Sequence, residues 1–133
     1  MTRYKLIIEY DGKNFCGWQK QKNMVTVQGT IEESLYKFFG KTISIYGAGR
    51  TDTGVHASGQ VAHFDMEQDK MEDSKTKLGK LTMGLNFYLS RQCNNEISIV
   101  NTIKVNNEFH ARFSAKGRKY KYTILNRRTA SPL

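Results

Sequence analysis

A single acid beside a single cation lies in a glycine-rich stretch between residues 47 and 59. The acid is Asp52, the cation is Arg50, and four glycines occur within these thirteen residues. Glycine permits positive φ angles and the close approach of a ligand, so the stretch predicts a loop that presents one carboxylate. A carboxylate that a neighbouring arginine keeps ionised is a candidate nucleophile. The alternative is an ordinary turn, in which Asp52 accepts hydrogen bonds from nearby backbone N–H groups.

A second group of candidate residues combines two aromatic rings with lysines between residues 13 and 24. The rings belong to Phe15 and Trp18, and lysines occupy positions 13, 20 and 22. Aromatic rings stack on unpaired bases while amines contact phosphates, so this composition suits RNA binding. Packing of both rings against the core explains the same pattern equally well.

The charge balance indicates a polyanionic partner. The 133 residues include 21 lysines and arginines against 12 acidic residues, which gives a net charge of +9. Each phosphate that a cationic side chain neutralises releases counterions, and this adds affinity that does not depend on sequence. A lysine-rich surface that is merely solvated would have the same composition.

Other features of the composition argue against a metal site and a membrane span. Two cysteines and three histidines show no metal-ligand spacing, and Cys16 and Cys93 form no CxxC motif. No apolar run approaches the length of a membrane span, and the first residues do not resemble a signal peptide. We therefore expect a cytoplasmic protein that does not interact with membranes.

The residues before the loop predict one strand and one helix. Alternating apolar residues over 4–10 are typical of a strand with one buried face. A helical stripe follows, with Thr26 or Thr30 as its N-cap and Gly40 as its stop signal. The stripe comprises Val27, Ile31, Leu35 and Phe38.

Further elements flank and follow the loop. Strands are predicted at 43–46 and 60–65, a helix at about 74–89 and two more strands at 97–105 and 118–125. The inward residues of this second helix are Leu78, Leu81, Leu85 and Leu89. The apolar face of the strand that follows it comprises Ile97, Ile99, Ile103 and Val105.

The order β-α-β-β-α-β plus one extra strand predicts an α+β fold. It matches the ferredoxin-like or RRM-like split βαβ arrangement, with a mostly antiparallel sheet and both helices on one face. The other face of the sheet is then free for a partner. Because no internal repeat interrupts the order, we expect a single domain over residues 1–133.

Three motifs accompany these elements. The first is Arg50-Thr51-Asp52-Thr53-Gly54-Val55-His56-Ala57, and the second is Tyr10-Asp11-Gly12 followed by Phe15-Cys16-Gly17-Trp18-Gln19. The third is Glu108-Phe109-His110-Ala111-Arg112-Phe113-Ser114-Ala115, followed by Arg118-Lys119-Tyr120-Lys121-Tyr122. Together they resemble the tRNA pseudouridine synthase A family over nearly the whole chain, which corresponds to the first half of a typical member. Where the family has Asn-x-x-Leu-Pro after the second helix, this sequence has Asn86-Phe87-Tyr88-Leu89-Ser90.

The resemblance implies roles for particular residues. Asp52 is the catalytic nucleophile, while Arg50 orients Asp52 or assists base flipping. Tyr120 packs against the target base, and its neighbour Tyr122 is better explained as a core residue. Other substrate-binding candidates are His56, Arg112 and Trp18. His56 also suits a packed or hydrogen-bonded role.

The resemblance also implies an activity and partners. The activity is isomerisation of uridine to pseudouridine in the anticodon stem-loop of tRNA, without a metal or any small-molecule cofactor. The carboxylate could attack C1′ of the ribose or C6 of uracil, or abstract a sugar proton. The family implies a homodimer at full length, with this chain as its N-terminal catalytic domain, truncated before the second half.

A non-catalytic RNA-binding module of the RRM type is the competing interpretation, because a sheet, positive charge and exposed aromatic rings would serve it equally well. The Arg50–Asp52 pair favours the enzyme, since a carboxylate placed where phosphates approach would weaken a simple RNA binder.

Overall fold

The computed structural model describes residues 1–67 and 75–112, which form two helices and one four-stranded sheet. The elements are β1 (Thr2–Tyr10), α1 (Val27–Phe39), β2 (Tyr46–Gly47), β3 (Ala57–Met66), α2 (Lys75–Cys93) and β4 (Ile97–Val105). Every pairing in the sheet is antiparallel, and the strand order is β2-β3-β1-β4. This order confirms the α+β split βαβ arrangement. The extra strand predicted at 118–125 lies outside the described residues.

The core face of β1 forms as the alternation predicts. Its side chains Tyr4, Leu6, Ile8 and Tyr10 are completely buried. They share one apolar cluster with the inward residues of both helices. Both helices therefore cover the same face of the sheet, because a strand presents alternate residues to opposite faces.

The predicted boundaries of α1 are confirmed, and the structure decides between the two possible N-caps. Thr26 accepts a hydrogen bond from the Gly29 N–H at 3.2 Å, while Thr30 lies inside the helix and donates to the Thr26 carbonyl at 2.7 Å. Gly40 ends the helix with φ of 77°, a left-handed conformation that glycine adopts without steric cost.

The strand predicted at 43–46 is wrong over most of its length. Ile43 and Ile45 are buried as expected, yet β2 contains only Tyr46 and Gly47. The reason is that the Ile45 N–H donates to the carboxylate of Glu32 on α1, at 2.9 Å. This segment is therefore held by a helix side chain where a strand partner was expected.

The second helix is longer than predicted, since it ends at Cys93 and not near residue 89. Ser90 lies inside the helix, and its hydroxyl donates to the Phe87 carbonyl at 2.7 Å. A proline at this position would disfavour continuation of the helix, so serine permits the extra turn. The helix ends where Asn94 and Asn95 adopt positive φ angles of 50° and 65°.

The second half of β4 differs from the predicted alternation. Ile8 pairs with Ile99 whereas Ile7 pairs with Asn101, so Val100 is an extra residue that forms a β-bulge. After the bulge Thr102 is buried, and its hydroxyl lies 2.9 Å from that of Thr82 on α2. The bulge therefore reverses the faces, and the expectation that Ile103 and Val105 face the core was wrong.

Candidate active site

The predicted loop lies between β2 and β3, and we refer to residues 48–56 as the Asp52 loop. The side chains of Asp52 and Arg50 are both exposed. Among the described residues, no hydrogen bond or ion pair joins the two side chains. The loop therefore presents a carboxylate to solvent, with a guanidinium two residues away.

Thr51, the neighbour of Asp52, anchors the loop to the interior. Its hydroxyl oxygen lies 2.8 Å from that of Tyr10, and its carbonyl accepts a hydrogen bond from the Trp18 N–H at 3.1 Å. The rings of Tyr10 and Trp18 stack with centroids 6.2 Å apart, and both are buried. Burial raises the pKa of Tyr10, so its hydroxyl remains protonated at neutral pH.

Close backbone contacts hold the Asp52 loop against residues 12–17. A side chain at Gly12 would place its Cβ 1.9 Å from the Val55 carbonyl oxygen. At Gly17, where φ is +82°, the Cβ would lie 2.7 Å from the Thr51 carbonyl oxygen. Only glycine permits both approaches. The motif that contains Gly12 and Gly17 therefore supports the motif that contains Asp52.

The N-terminal end of the loop is attached to β3. The Ala48 N–H donates to the Val61 carbonyl at 2.8 Å, and the side-chain amide of Gln60 donates to the Gly49 carbonyl at 2.7 Å. Tyr10 belongs to the second motif of the sequence, but neither it nor Gln60 is among the predicted site residues. The available signals were this motif for Tyr10 and position for Gln60, which lies where the loop meets β3.

A cleft of about 720 Å³ lies beside the loop. Its basic lining residues are Arg50, His110 and Arg112, which come from two segments far apart in sequence. Trp18 and Gln28 also line it, whereas Asp52 does not. The cleft can therefore receive a polar, anionic group next to the exposed carboxylate.

A buried histidine holds the segment that brings His110 and Arg112 to the cleft. His63 on β3 accepts a hydrogen bond at Nδ1 from the Ala111 N–H at 3.1 Å, and its ring stacks on Tyr46 with centroids 5.3 Å apart. Burial, with smaller contributions from the charges of Arg3 and His110, lowers the pKa of His63 to about 4. The ring is therefore neutral at pH 7, as its acceptor role requires.

An ion pair supports the same segment from the neighbouring strand. Arg3 and Asp65 face each other in the β1–β3 register, with two N–O distances of 2.7 and 3.0 Å. The Arg3 guanidinium also donates to the Phe109 carbonyl. Its hydrogen bond to Asp65 lowers the pKa of that carboxyl group, so the pair remains charged at neutral pH.

The sequence carries a family signature over most of its length. A profile of the family described as tRNA pseudouridine synthase matches residues 6–114. The chain belongs to the tRNA pseudouridine synthase family. A relative in Ehrlichia ruminantium (strain Gardel), named tRNA pseudouridine synthase A, is 47% identical over 126 residues, which cover 94% of this chain and 48% of the relative.

Two more relatives with the name tRNA pseudouridine synthase A match from end to end of this chain. The protein of Sinorhizobium fredii (strain NBRC 101917 / NGR234) is 47% identical over 133 residues, which cover 50% of its length. That of Bartonella bacilliformis is 44% identical, with 51% of its length covered. The chain therefore spans about half the length of the curated relatives it matches.

The structure brings some of the predicted synthase residues together and separates others. Arg50 and Arg112 line the same cleft. Trp18 also borders it, but only 2% of this residue is exposed, which favours the packing interpretation of its ring over base stacking. His56 accepts a hydrogen bond at Nδ1 from the Gly12 N–H at 2.9 Å, so it too supports the loop. Tyr120 and Tyr122 lie outside the described residues.

Residues 1–67 and 75–112 contain no group of three or more histidine, cysteine or acidic side chains that could hold a metal ion. In the same part of the chain, neither helix combines the length and apolar character that crossing a bilayer requires.

Proposed function

We propose that the full-length protein isomerises uridine to pseudouridine in tRNA, with Asp52 as the nucleophile. The observation that carries this proposal is the exposed Asp52 carboxylate on an anchored loop, in a chain that belongs to the tRNA pseudouridine synthase family. A carboxylate that served only the turn would accept hydrogen bonds from neighbouring N–H groups. No such bond reaches Asp52 from the described residues.

The reaction rearranges bonds without any net oxidation. The N1–C1′ bond breaks, the uracil turns within the site, and a new C5–C1′ bond forms. C5 then loses its proton, and N1 carries one in the product, so substrate and product are isomers. Asp52 forms a transient covalent bond to the nucleoside and leaves when the new bond is complete. The carboxylate is regenerated, and the step consumes no redox partner.

The target uridine must leave its stack before Asp52 can reach it, and this costs a few kcal/mol. In the proposal, Arg50 orients the carboxylate or replaces the lost contacts in the opened RNA. Arg112 lines the cleft beside the loop and contacts phosphate, while the packed Trp18 and the loop-supporting His56 shape the substrate-binding region without stacking on a base. Tyr120 stacks on the extruded base, as the family motif implies.

The finer features of the proposal come from the family resemblance. They are the anticodon stem-loop as the target, a homodimer at full length, a cytoplasmic location and activity without a cofactor. The net charge of +9 agrees with a tRNA partner, because phosphate contacts supply most of the sequence-independent affinity. In this proposal residues 1–133 form the N-terminal catalytic domain.

Transfer RNA containing 5-fluorouridine tests the proposal directly. Fluorine at C5 cannot leave as a proton, so the full-length protein is expected to give a stable adduct or a rearranged product. Asp52→Asn should abolish both this product and turnover of normal tRNA while RNA binding persists. Glu67→Gln, which removes another exposed carboxylate, is the matched control and should retain activity. Full turnover by Asp52→Asn would refute the role of Asp52 as the nucleophile. If the wild-type protein bound tRNA but formed no product, an RNA-binding module would be favoured.

A further inference from the structure

Thr51, which directly precedes Asp52, contacts a completely buried tyrosine through its side chain. Tyr10 ends β1 on the core face, and its hydroxyl oxygen lies 2.8 Å from the Thr51 hydroxyl oxygen. Tyr10 has no exposed surface, so its hydroxyl cannot exchange this partner for bulk water. A buried hydroxyl keeps its hydrogen bond because losing it would leave the group unpaired.

From this contact we infer that Tyr10 is a positioning residue, which orients the Asp52 carboxylate for reaction through its hydrogen bond to Thr51. The inference rests on the proposed function and assigns a role to a residue outside the family motif around Asp52. Neighbouring side chains leave the backbone in different directions. Fixing Thr51 inward therefore restricts the directions available to Asp52, which is exposed.

Further contacts fix the backbone around Thr51 and Asp52. The Thr51 carbonyl accepts the Trp18 N–H, and Gly17 leaves room for that carbonyl. The Trp18 ring stacks on Tyr10, so one ring pair supports both the side chain and the backbone of Thr51. Beyond Asp52, the Val55 N–H donates to the Asp52 carbonyl at 3.1 Å. The backbone is thus fixed on both sides of Asp52. The carboxylate of Asp52 itself has no hydrogen-bond partner among the described residues.

The chemistry explains why such an anchor matters. An exposed aspartate samples several rotamers, and covalent attack requires one narrow geometry. A misplacement of about 1 Å far from the reacting atoms can lower a rate by about 100-fold. Tyr10 therefore affects the rate of the chemical step and leaves RNA affinity unchanged, because its hydroxyl does not reach the surface.

Conservative variants of the full-length protein test the inference. Tyr10→Phe retains the ring and its stacking on Trp18 but removes the hydroxyl, and Thr51→Val removes the other partner. Each should lower kcat by about 10- to 100-fold with KM for tRNA unchanged. The double variant should lose no more than either single variant, since one contact is removed in all three. Thr51→Ser restores a hydroxyl and should recover most of the activity.

Tyr4→Phe is the matched control. Tyr4 lies on the same strand and the same buried face as Tyr10, but it stacks on Phe64, away from the Asp52 loop. The control should retain wild-type kcat. Wild-type kcat in Tyr10→Phe, or an equal loss in Tyr4→Phe, would overturn the positioning role while leaving the proposed activity intact.

Amide hydrogen exchange gives a readout that does not depend on activity. Exchange of the Trp18, Gly54 and Val55 amides, whose hydrogen bonds hold the loop, should be faster in Tyr10→Phe and Thr51→Val than in the wild type, and unchanged in Tyr4→Phe. Unchanged exchange in the first two variants would refute the anchor even if the protein modified no RNA. An inactive wild type with faster exchange in the variants would refute the proposed activity alone.

Discussion

At the scale of single residues, the neutral state of His63 connects pH to the architecture of the cleft. Its Nδ1 can accept the Ala111 N–H only while that nitrogen is unprotonated. The charges that act on it are those of Arg3, Asp65 and His110, and Arg3 and His110 further disfavour a positive ring. Protonation would therefore release the segment that carries Arg112.

Stability should fall on acidification because of this residue. The pKa of His63 is about 4 in the folded protein, against 6.5 for an ordinary exposed histidine, so the unfolded chain binds the proton first. The contribution is fully present above pH 6.5 and is lost between pH 6.5 and 4, by about 3 kcal/mol. Asp65, with its lowered pKa, adds a further loss at still lower pH.

Urea unfolding at several pH values between 7 and 4 measures this contribution. His63→Gln keeps an acceptor but does not titrate, so its free energy of unfolding should fall less than that of the wild type over this window. All other groups are the same in both proteins, so the difference between the two curves isolates His63. Parallel curves for wild type and variant would contradict the assignment.

The sequence was sufficient to predict the exposed candidate residues of the site, but not the residues that surround and support them. Asp52 and Arg50 are exposed on a loop, as the glycine spacing predicts. The burial of Trp18 was one of two equal alternatives, because an aromatic ring among lysines fits a core contact or a stacking surface. Tyr10 lies in a family motif, but its contact with the Asp52 loop and that of Gln60 could not be predicted locally, since their partners lie 41 and 11 residues away.

At the scale of elements, one buried carboxylate joins α1 to the segment that leads into the Asp52 loop. Glu32 accepts the Ile45 N–H at 2.9 Å and the Gln28 side-chain amide at 3.1 Å. It also pairs with Lys20 at 3.2 Å, although that amine is largely exposed. The backbone of residue 45 therefore depends on a side chain of the helix, and Ile45 lines the cleft.

Glu32→Ala should destabilise the protein much more than the same change at its neighbour. It leaves the Ile45 N–H without its partner, and an unsatisfied buried donor costs about 1–3 kcal/mol. Glu33→Ala is the matched control, because Glu33 is exposed and loses only surface contacts, an ion pair with Lys37 at 4.0 Å and a hydrogen bond from the Gln92 side-chain amide at 2.6 Å. The free energy of unfolding in urea distinguishes the two variants. Equal losses would show that Glu32 contributes only as a surface charge.

Periodicity predicted the existence of the elements better than their details. The helical stripes and β1 were correct because burial of one face alone determines them. The bulge at Val100 was missed, since an inserted residue becomes visible only when the partner strand fixes the register. The Ile43–Tyr46 strand failed for a similar reason, because Glu32 supplies the hydrogen bond that a strand would have supplied.

At the scale of the whole molecule, the cleft exists only because the fold joins distant segments. Trp18 comes from the loop before α1, Arg50 from the loop before β3, and Arg112 from the chain after β4. The resemblance to the family predicted that these residues belong to one function, but composition alone could not predict their proximity. The strand order β2-β3-β1-β4 places the Asp52 loop at one end of β1, next to the segment of Phe15 and Trp18 that follows this strand.

The salt dependence of RNA binding tests whether this assembled cleft contacts phosphate. Affinity of the full-length protein for tRNA should fall linearly with salt on a logarithmic scale, because binding releases counterions. Arg112→Gln should weaken binding and reduce the magnitude of the slope by about one. Arg91→Gln is the matched control, since Arg91 lies over the Phe87 ring on α2 and does not line the cleft. Equal slopes for wild type and Arg112→Gln would exclude a phosphate contact there, because releasing one fewer counterion must flatten the line.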